Sequence, residues 1–179
     1  MKLLRMIAIG SLLLAASAGA CKRSGGEQPE QGRVPSALSP ESRAAASEML
    51  SAYEGLRAEL AADAVARLPA LAERLERAAG ALERGGPASL KPHAVALAAG
   101  ARQIREHKEI ERARMTFGEV TRELMAILAI EPSLRQGRKV FECPMARGYK
   151  KWVQTSPRIE NPYMGKAMLE CGSESDWTS

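Results

Sequence analysis

The sequence predicts an all-α protein, an antiparallel four-helix bundle with an irregular C-terminal extension of cysteine, methionine and aromatic residues packed on it. Between Ser39 and Ile130, apolar residues recur every three or four positions, which is the period of an amphipathic helix. Beyond Pro132 this period stops, and glycine, proline and aromatic residues become frequent. A short strand pair could form within the extension, because Lys139 to Cys143 resembles a strand.

The first element, residues 1–20, has the pattern of a signal peptide. Lys2 and Arg5 precede an apolar run that is too short for a membrane helix, which needs roughly 20 apolar residues. Small residues up to Ala20 stand directly before Cys21, and this arrangement resembles the lipobox of bacterial lipoproteins. The resemblance implies that Cys21 is acylated and becomes the mature N-terminus; ordinary signal cleavage near Ala20 is the alternative. The residue that follows is Lys22 and not aspartate, which implies the outer membrane in preference to the inner one.

Residues 21–38 form the next element, a lipid-anchored flexible linker. This stretch is rich in glycine, proline, glutamine and charge and has little apolar surface to bury, so we expect it to stay without a fold. The predicted localisation is therefore the periplasmic face of a bacterial membrane, in the cell envelope, with the N-terminal lipid as the membrane anchor.

The helical bundle is predicted over residues 39–131. Ser39 followed by Pro40 is a favourable start for a first helix that runs to about Ala61. A second helix follows, and Pro69 either kinks it or marks its true beginning. The residues expected to face the core of these two helices are Ala45, Met49, Tyr53, Leu56, Leu60, Val65, Leu68, Ala72, Leu75, Ala79 and Leu82.

The third helix is expected to start at a Ser89 cap and to bury Val95, Ala98, Ala101 and Ile104. Nothing between this helix and the fourth is a strong helix breaker. One rod from residue 89 to residue 130 would be about 63 Å long at roughly 1.5 Å per residue, much longer than the first two helices. We therefore predict a bend near 107–108, followed by a fourth helix that ends before Pro132.

Charge and motifs exclude several function classes. The net charge of +5 falls by two when the signal peptide leaves, and the remaining arginines alternate with glutamates at helical spacing. Together with export, this pattern predicts no nucleic-acid partner. The chain has no Cys-x-x-Cys motif, phosphate loop or paired catalytic carboxylates, and we expect no enzymatic activity.

The C-terminal segment, 132–179, is predicted to form one domain with the bundle and to carry the functional residues. Thiols and thioethers are soft ligands that suit Cu(I) and related ions. The candidate metal ligands are Cys143, Met145, Met164, Met168 and Cys171.

The same segment resembles an uncharacterised bacterial periplasmic domain family. That family occurs in exported proteins and lipoproteins and is also fused to membrane-fusion subunits that resemble those of copper and silver efflux pumps. The resemblance covers about residues 49–172 and implies an envelope location and a link to a metal efflux system. It rests on Cys143, Pro144, Met145, Ala146, Gly148, Trp152, Ile159, Glu160, Asn161, Pro162, Tyr163, Gly165, Met168, Cys171 and Gly172, and it extends upstream to Leu50 to Ala61, Ile110, Glu111, Arg114 and Phe117.

Two hypotheses for Cys143 and Cys171 stay open at this point. In an oxidising compartment they could form a structural disulfide, which would stabilise the fold by about 3.5 kcal/mol in the entropic model. As reduced thiolates they could instead bind copper or another soft ion, which the protein would sequester or hand over to efflux. The first hypothesis makes the chain a disulfide-stapled interaction or assembly module of the envelope; the second makes it a metal-binding lipoprotein.

Overall fold

The structure of the protein is a computed structural model that describes residues 36–178. The signal peptide, Cys21 and most of the 21–38 linker lie outside the described residues. The described part is mostly helical, with a small antiparallel sheet near its C-terminus. Across residues 36–178, none of the helices has the length and apolar character needed to cross a membrane.

Within residues 36–178, four α-helices follow one another and pack in that order. Each helix lies against the next, and the strand β2, Lys151–Gln154, packs against both α1 and α4. The first and last helices also contact each other directly. The helices are α1, Pro40–Ala61; α2, Leu68–Gly85; α3, Lys91–Glu106; and α4, Ile110–Ile130.

The start of α1 is confirmed by its cap. The amide of Ser42 donates to the hydroxyl of Ser39 at 3.2 Å, which satisfies one of the free amides of the first turn. The predicted apolar face is also buried, since Met49, Tyr53 and the two leucines that follow on that face are at most 1% exposed.

Three details of the helix prediction are wrong. Val65 is 52% exposed because α2 begins only at Leu68, with proline in its first turn, so the apolar spacing before that point is not helical. Ser89 does not cap α3, because it lies inside a separate 3-10 turn that precedes the helix. Val95 is 48% exposed, because the buried face of α3 is centred one position away, on Ala94 and Leu97.

The predicted bend between the third and fourth helices is confirmed. The helix α3 ends at Glu106, and His107 has an extended backbone with ψ 130°. Glu109 is extended as well, and α4 starts at the next residue. These extended residues interrupt the helix, and α4 packs on α3.

The all-α class is incomplete for the C-terminal segment, which forms a three-stranded antiparallel sheet in the order β2-β1-β3. The strand β1 is Lys139–Glu142 and β3 is Ser173–Ser175. In the central strand Phe141 is paired with Trp152 of β2 on one side and with Glu174 of β3 on the other. The strands β2 and β3 have little apolar periodicity, and they form because they pair with β1.

A row of aromatic side chains joins the helices to the sheet. The ring of Tyr53 on α1 stacks on that of Phe117 on α4, with centroids 4.9 Å apart, and Phe117 lies 6.1 Å from Tyr163. Tyr163 in turn meets Trp152 edge to face at 6.0 Å, and Trp152 stacks on Phe141 at 5.7 Å. These rings place the core of the protein at the junction of α1, α4 and the sheet.

The outer edge of β2 is closed by two of these tyrosines. The amide of Val153 donates to the Tyr53 hydroxyl at 3.2 Å, and the Tyr163 hydroxyl donates to the carbonyl oxygen of Lys151 at 2.5 Å. Buried backbone groups on an edge strand need such partners. The sheet is thereby fixed to the helices through hydrogen bonds as well as apolar contact.

Candidate functional site

The two cysteines of the C-terminal segment lie side by side. Cys143 follows β1 and Cys171 lies two residues before β3, so the pairing of Glu142 with Ser173 brings both to the same end of the sheet. Their sulfur atoms are 3.2 Å apart, and both are free thiols. Cys143 is completely buried, whereas Cys171 is partly exposed. We call these two residues the thiol pair.

A tight turn fixes the first thiol. The amide of Cys143 donates to the carbonyl oxygen of Lys150 at 3.0 Å and so extends the β1–β2 ladder by one pair. The amide of Ala146 donates back to the carbonyl oxygen of Cys143 at 3.1 Å. Pro144 occupies the second position of this four-residue turn, where its fixed φ is favoured. The strand and the turn together hold Cys143 against the core.

Asn161 fixes the second thiol. Its side-chain amide nitrogen donates to the carbonyl oxygen of Cys171 at 2.6 Å, and its side-chain oxygen accepts from the amides of Tyr163 at 2.8 Å and Met164 at 3.1 Å. One fully buried side chain thus closes the Asn-Pro-Tyr turn and attaches Cys171 to it.

Gly172 allows the chain to pass close to the sheet at this point. Its φ is +138°, and a Cβ there would lie 2.8 Å from the carbonyl oxygen of Glu142 and 2.9 Å from the Trp152 ring. Only glycine satisfies both the backbone conformation and the close approach. The Cys-Gly pair therefore lets β3 join β1 immediately after Cys171.

Two arginines of the helices hold the Asn-Pro-Tyr turn from outside. Arg57 on α1 is 2% exposed and donates to both the carbonyl oxygen and the carboxylate of Glu160, each at 2.8 Å. Arg114 on α4 donates to the carbonyl oxygen of Pro162 at 3.0 Å and forms an ion pair with Asp63. Arg57 was not predicted as a site residue, because no motif of the sequence singles it out. The contact between Arg114 and Pro162 had one signal in the sequence, which is the match of Arg114 to the family pattern.

The surroundings of Cys171 favour its neutral thiol over the thiolate. The hydrogen bond with Cys143, followed by burial, raises the pKa of the Cys171 thiol above its ordinary value. Thiolate and not thiol is the metal ligand and the nucleophile. Metal binding by this pair would therefore release protons and weaken as the pH falls.

The predicted methionine ligands are divided between two places. Met145 and Met164 line a cavity of about 430 Å³ together with Met115 of α4, and neither cysteine contributes to that lining. Met168 lies elsewhere on the segment and is 42% exposed, although its carbonyl oxygen accepts from the amide of Cys171 at 3.0 Å. Met115 was not predicted as a site residue, because its neighbours on α4 have an ordinary bundle pattern.

Metal binding has a chemical basis in the sulfur ligands only. Within residues 36–178, no group of three or more His, Cys, Asp and Glu side chains is arranged to hold a metal ion. The histidines have other partners: His93 contacts Glu123 at 2.8 Å and His107 contacts Thr116 at 2.9 Å. The thiol pair, by contrast, has the donor type that a soft ion prefers.

The remaining predicted motif residues are structural in position. Trp152 and Tyr163 lie in the aromatic row, and Gly165, with φ +58°, faces Asp63 and Arg114 so closely that a side chain would not fit.

Comparison of the chain with protein-family models, curated proteins and solved structures finds no match. The resemblance to a periplasmic domain family stays a prediction based on its motif residues.

Proposed function

We propose that this chain is a lipoprotein on the periplasmic face of a bacterial membrane, the outer in preference to the inner, that binds a soft copper- or silver-like ion. It would sequester the ion or hand it over to an efflux system, with no enzymatic step and no nucleic-acid partner. The observation that carries the proposal is the pair of free thiols 3.2 Å apart at the end of the sheet. We also infer that the four helices form an antiparallel bundle, on the basis of their sequential packing and short connections.

The polar network around the thiol pair supports a binding role. A buried asparagine and two arginines from different helices position the Asn-Pro-Tyr turn, and the turn positions Cys171 over Cys143. Binding sites benefit from ligands that are already held in place, because less conformational freedom is lost when the ion arrives.

A disulfide-stapled interaction or assembly module of the envelope is the second candidate. Two sulfur atoms that each lie about 2.3 Å from one metal ion are about 3.7 Å apart in tetrahedral geometry. The observed 3.2 Å is shorter, so the sulfurs must separate to bind an ion and approach to form a bond. Cys143 is also fully buried, as structural half-cystines commonly are.

Thiol counting on the exported, lipidated protein, followed by Cu(I) titration of its reduced form, separates the two candidates. The proposed function predicts that reduced wild type binds Cu(I) and that Cys143→Ser/Cys171→Ser loses this binding. Met125→Leu is the matched control, because it removes a sulfur from the buried core of α4, conserves volume and leaves both thiols intact. No excess of Cu(I) bound by wild type over the double variant would refute metal binding by the thiol pair. If Cys143 and Cys171 form an unreactive disulfide in the exported protein, the interaction or assembly module is favoured.

A further inference from the structure

Three methionines from three distant parts of the chain meet at one cavity. Met115 lies on α4, Met145 lies in the turn after β1, and Met164 lies directly before the 3-10 turn at Gly165. The cavity they line measures about 430 Å³, and we call it the methionine cavity. Folding, and not sequence proximity, brings these thioethers together.

Two of the three methionines are too exposed to be core filler. Met115 is 60% exposed and Met145 is 61% exposed, whereas Met49 and Met125 are at most 3% exposed. Met164 is partly buried and packs against the core. Methionine has three rotatable side-chain bonds and a polarizable sulfur, so thioethers around one cavity can turn toward a common ligand. Ala146 and Tyr163 add apolar surface to the lining.

The charges around the methionine cavity nearly cancel. Of the two lining arginines, Arg114 is already neutralised by its ion pair with Asp63. The other, Arg147, lines the cavity together with one carboxylate of opposite charge, that of Glu111. The cavity thus offers a hard divalent cation no net negative charge. Its single carboxylate also supplies fewer oxygen ligands than such a cation prefers. A soft monovalent ion needs neither a net negative charge nor a shell of oxygen ligands, because thioether sulfur is the donor it prefers.

We propose that the methionine cavity is a second soft-metal site, in which the thioethers of Met115, Met145 and Met164 bind a monovalent ion such as Cu(I) or Ag(I). This inference rests on the proposed soft-metal function and assigns it a site separate from the thiol pair. A thioether has no proton to lose and cannot form a disulfide. The methionine cavity therefore keeps its affinity when the cysteines are oxidised, and in acid.

The test uses Ag(I), which undergoes no redox change here, in chloride-free buffer. The starting protein is full-length Cys21→Ser/Cys143→Ser/Cys171→Ser, which contains none of the three cysteines of the chain and is called the cysteine-free protein. We expect it to bind one ion per chain, with concerted shifts of the methyl NMR signals of the three cavity methionines and no shift of Met168. The affinity should change by less than about twofold between about pH 5.5 and about pH 8, because no ligand is deprotonated.

Leucine substitutions then identify the ligands, since methionine-to-leucine changes conserve volume and are usually tolerated. In the cysteine-free background, Met115→Leu/Met145→Leu/Met164→Leu should weaken Ag(I) binding by at least about tenfold. Met168→Leu is the matched control and should leave the affinity unchanged. Circular dichroism and thermal unfolding of each variant check that the fold is retained.

The outcomes separate this inference from the proposed function. Unchanged affinity in the triple leucine variant, with its fold intact, would overturn the methionine cavity as a site. Loss of all Ag(I) binding in the cysteine-free protein would overturn it too, while leaving metal binding at the thiol pair standing. If the cysteine-free protein binds as tightly as reduced wild type and the triple variant does not, the methionine cavity is supported and the thiol pair is not the metal site.

Discussion

Replacement of Asn161 by alanine removes the residue that links the thiol pair to the rest of the C-terminal segment. Three side-chain hydrogen bonds disappear: those from the amides of Tyr163 and Met164 to the side-chain oxygen, and the one to the carbonyl oxygen of Cys171. Asn161 is completely buried, so water does not easily take its place. The Asn161→Ala variant should therefore be less stable and should hold Cys171 less firmly.

The size of the effect follows from burial of the groups left behind. Tyr163 is 9% exposed, and a buried amide without a partner costs about 1–3 kcal/mol. Met164 and Cys171 are partly exposed, and each lost bond there costs about 0.5–1.5 kcal/mol because water can compensate. We expect a total decrease of about 2–6 kcal/mol in the free energy of unfolding.

Urea unfolding of the reduced protein measures this decrease, with the thiols kept reduced so that no bridge contributes. Gln136→Ala is the control, because Gln136 is an exposed amide side chain and its removal should change stability by less than about 0.5 kcal/mol. A second variant, Asn161→Asp, keeps the acceptor for the two amides but replaces the donor to Cys171 by a second acceptor in a buried site, so it should be destabilising as well. If Asn161→Ala were no more destabilising than the control, the network would not hold the segment together.

Three further predictions concern single polar groups. Tyr53→Phe deprives the buried Val153 amide of its acceptor and should cost about 1–3 kcal/mol in urea unfolding, whereas Tyr149→Phe should cost nothing, because within residues 36–178 its buried hydroxyl has no hydrogen-bond partner. Equal destabilisation by Tyr53→Phe and Tyr149→Phe would contradict this. The arginine hydrogen bond holds the pKa of Asp63 below its ordinary value, so its stabilisation is present above that value and is lost as the pH falls. Asp63→Asn should therefore cost up to about 0.5 kcal/mol at neutral pH and nothing in strong acid; a cost that grows in acid would oppose this. Finally, Cys143→Ala removes the hydrogen bond that raises the pKa of Cys171, so the pH midpoint of Cys171 alkylation should move down; an unchanged midpoint would show that another group controls this thiol.

The helical part could be predicted well from the sequence because its signals are local. Ser39 caps α1 with the hydroxyl that any serine would offer there, and α4 ends just before Pro132, as proline stereochemistry requires. The errors at Val65 and Val95 have the same local origin. Val65 and Val95 each lie three or four residues from the next apolar position, as a core-facing residue of a helix would. Packing decides whether such a residue or its neighbour faces the core.

The arrangement of the C-terminal segment depends on contacts that sequence spacing does not encode. Arg57 reaches Glu160 across 103 positions, and no local pattern distinguishes it from the arginines that form ordinary surface pairs. Met115 joins Met145 only because the turn after β1 is brought beside α4. The motif residues were recognisable one by one, whereas their division into a thiol pair and a methionine cavity required the fold.

The two proposed sulfur sites would respond differently to acid and to disulfide formation. The thiol pair would lose metal affinity in acid, because its ligands must be deprotonated, and would lose it again when the two cysteines form a disulfide. The methionine cavity would keep its affinity under both conditions, because a thioether has no proton to lose and cannot form a disulfide. If both sites bind soft ions, reduction and rising pH should shift the ion from the thioethers to the thiols. A single chain could then take up a soft ion under oxidising conditions and retain it more tightly under reducing ones.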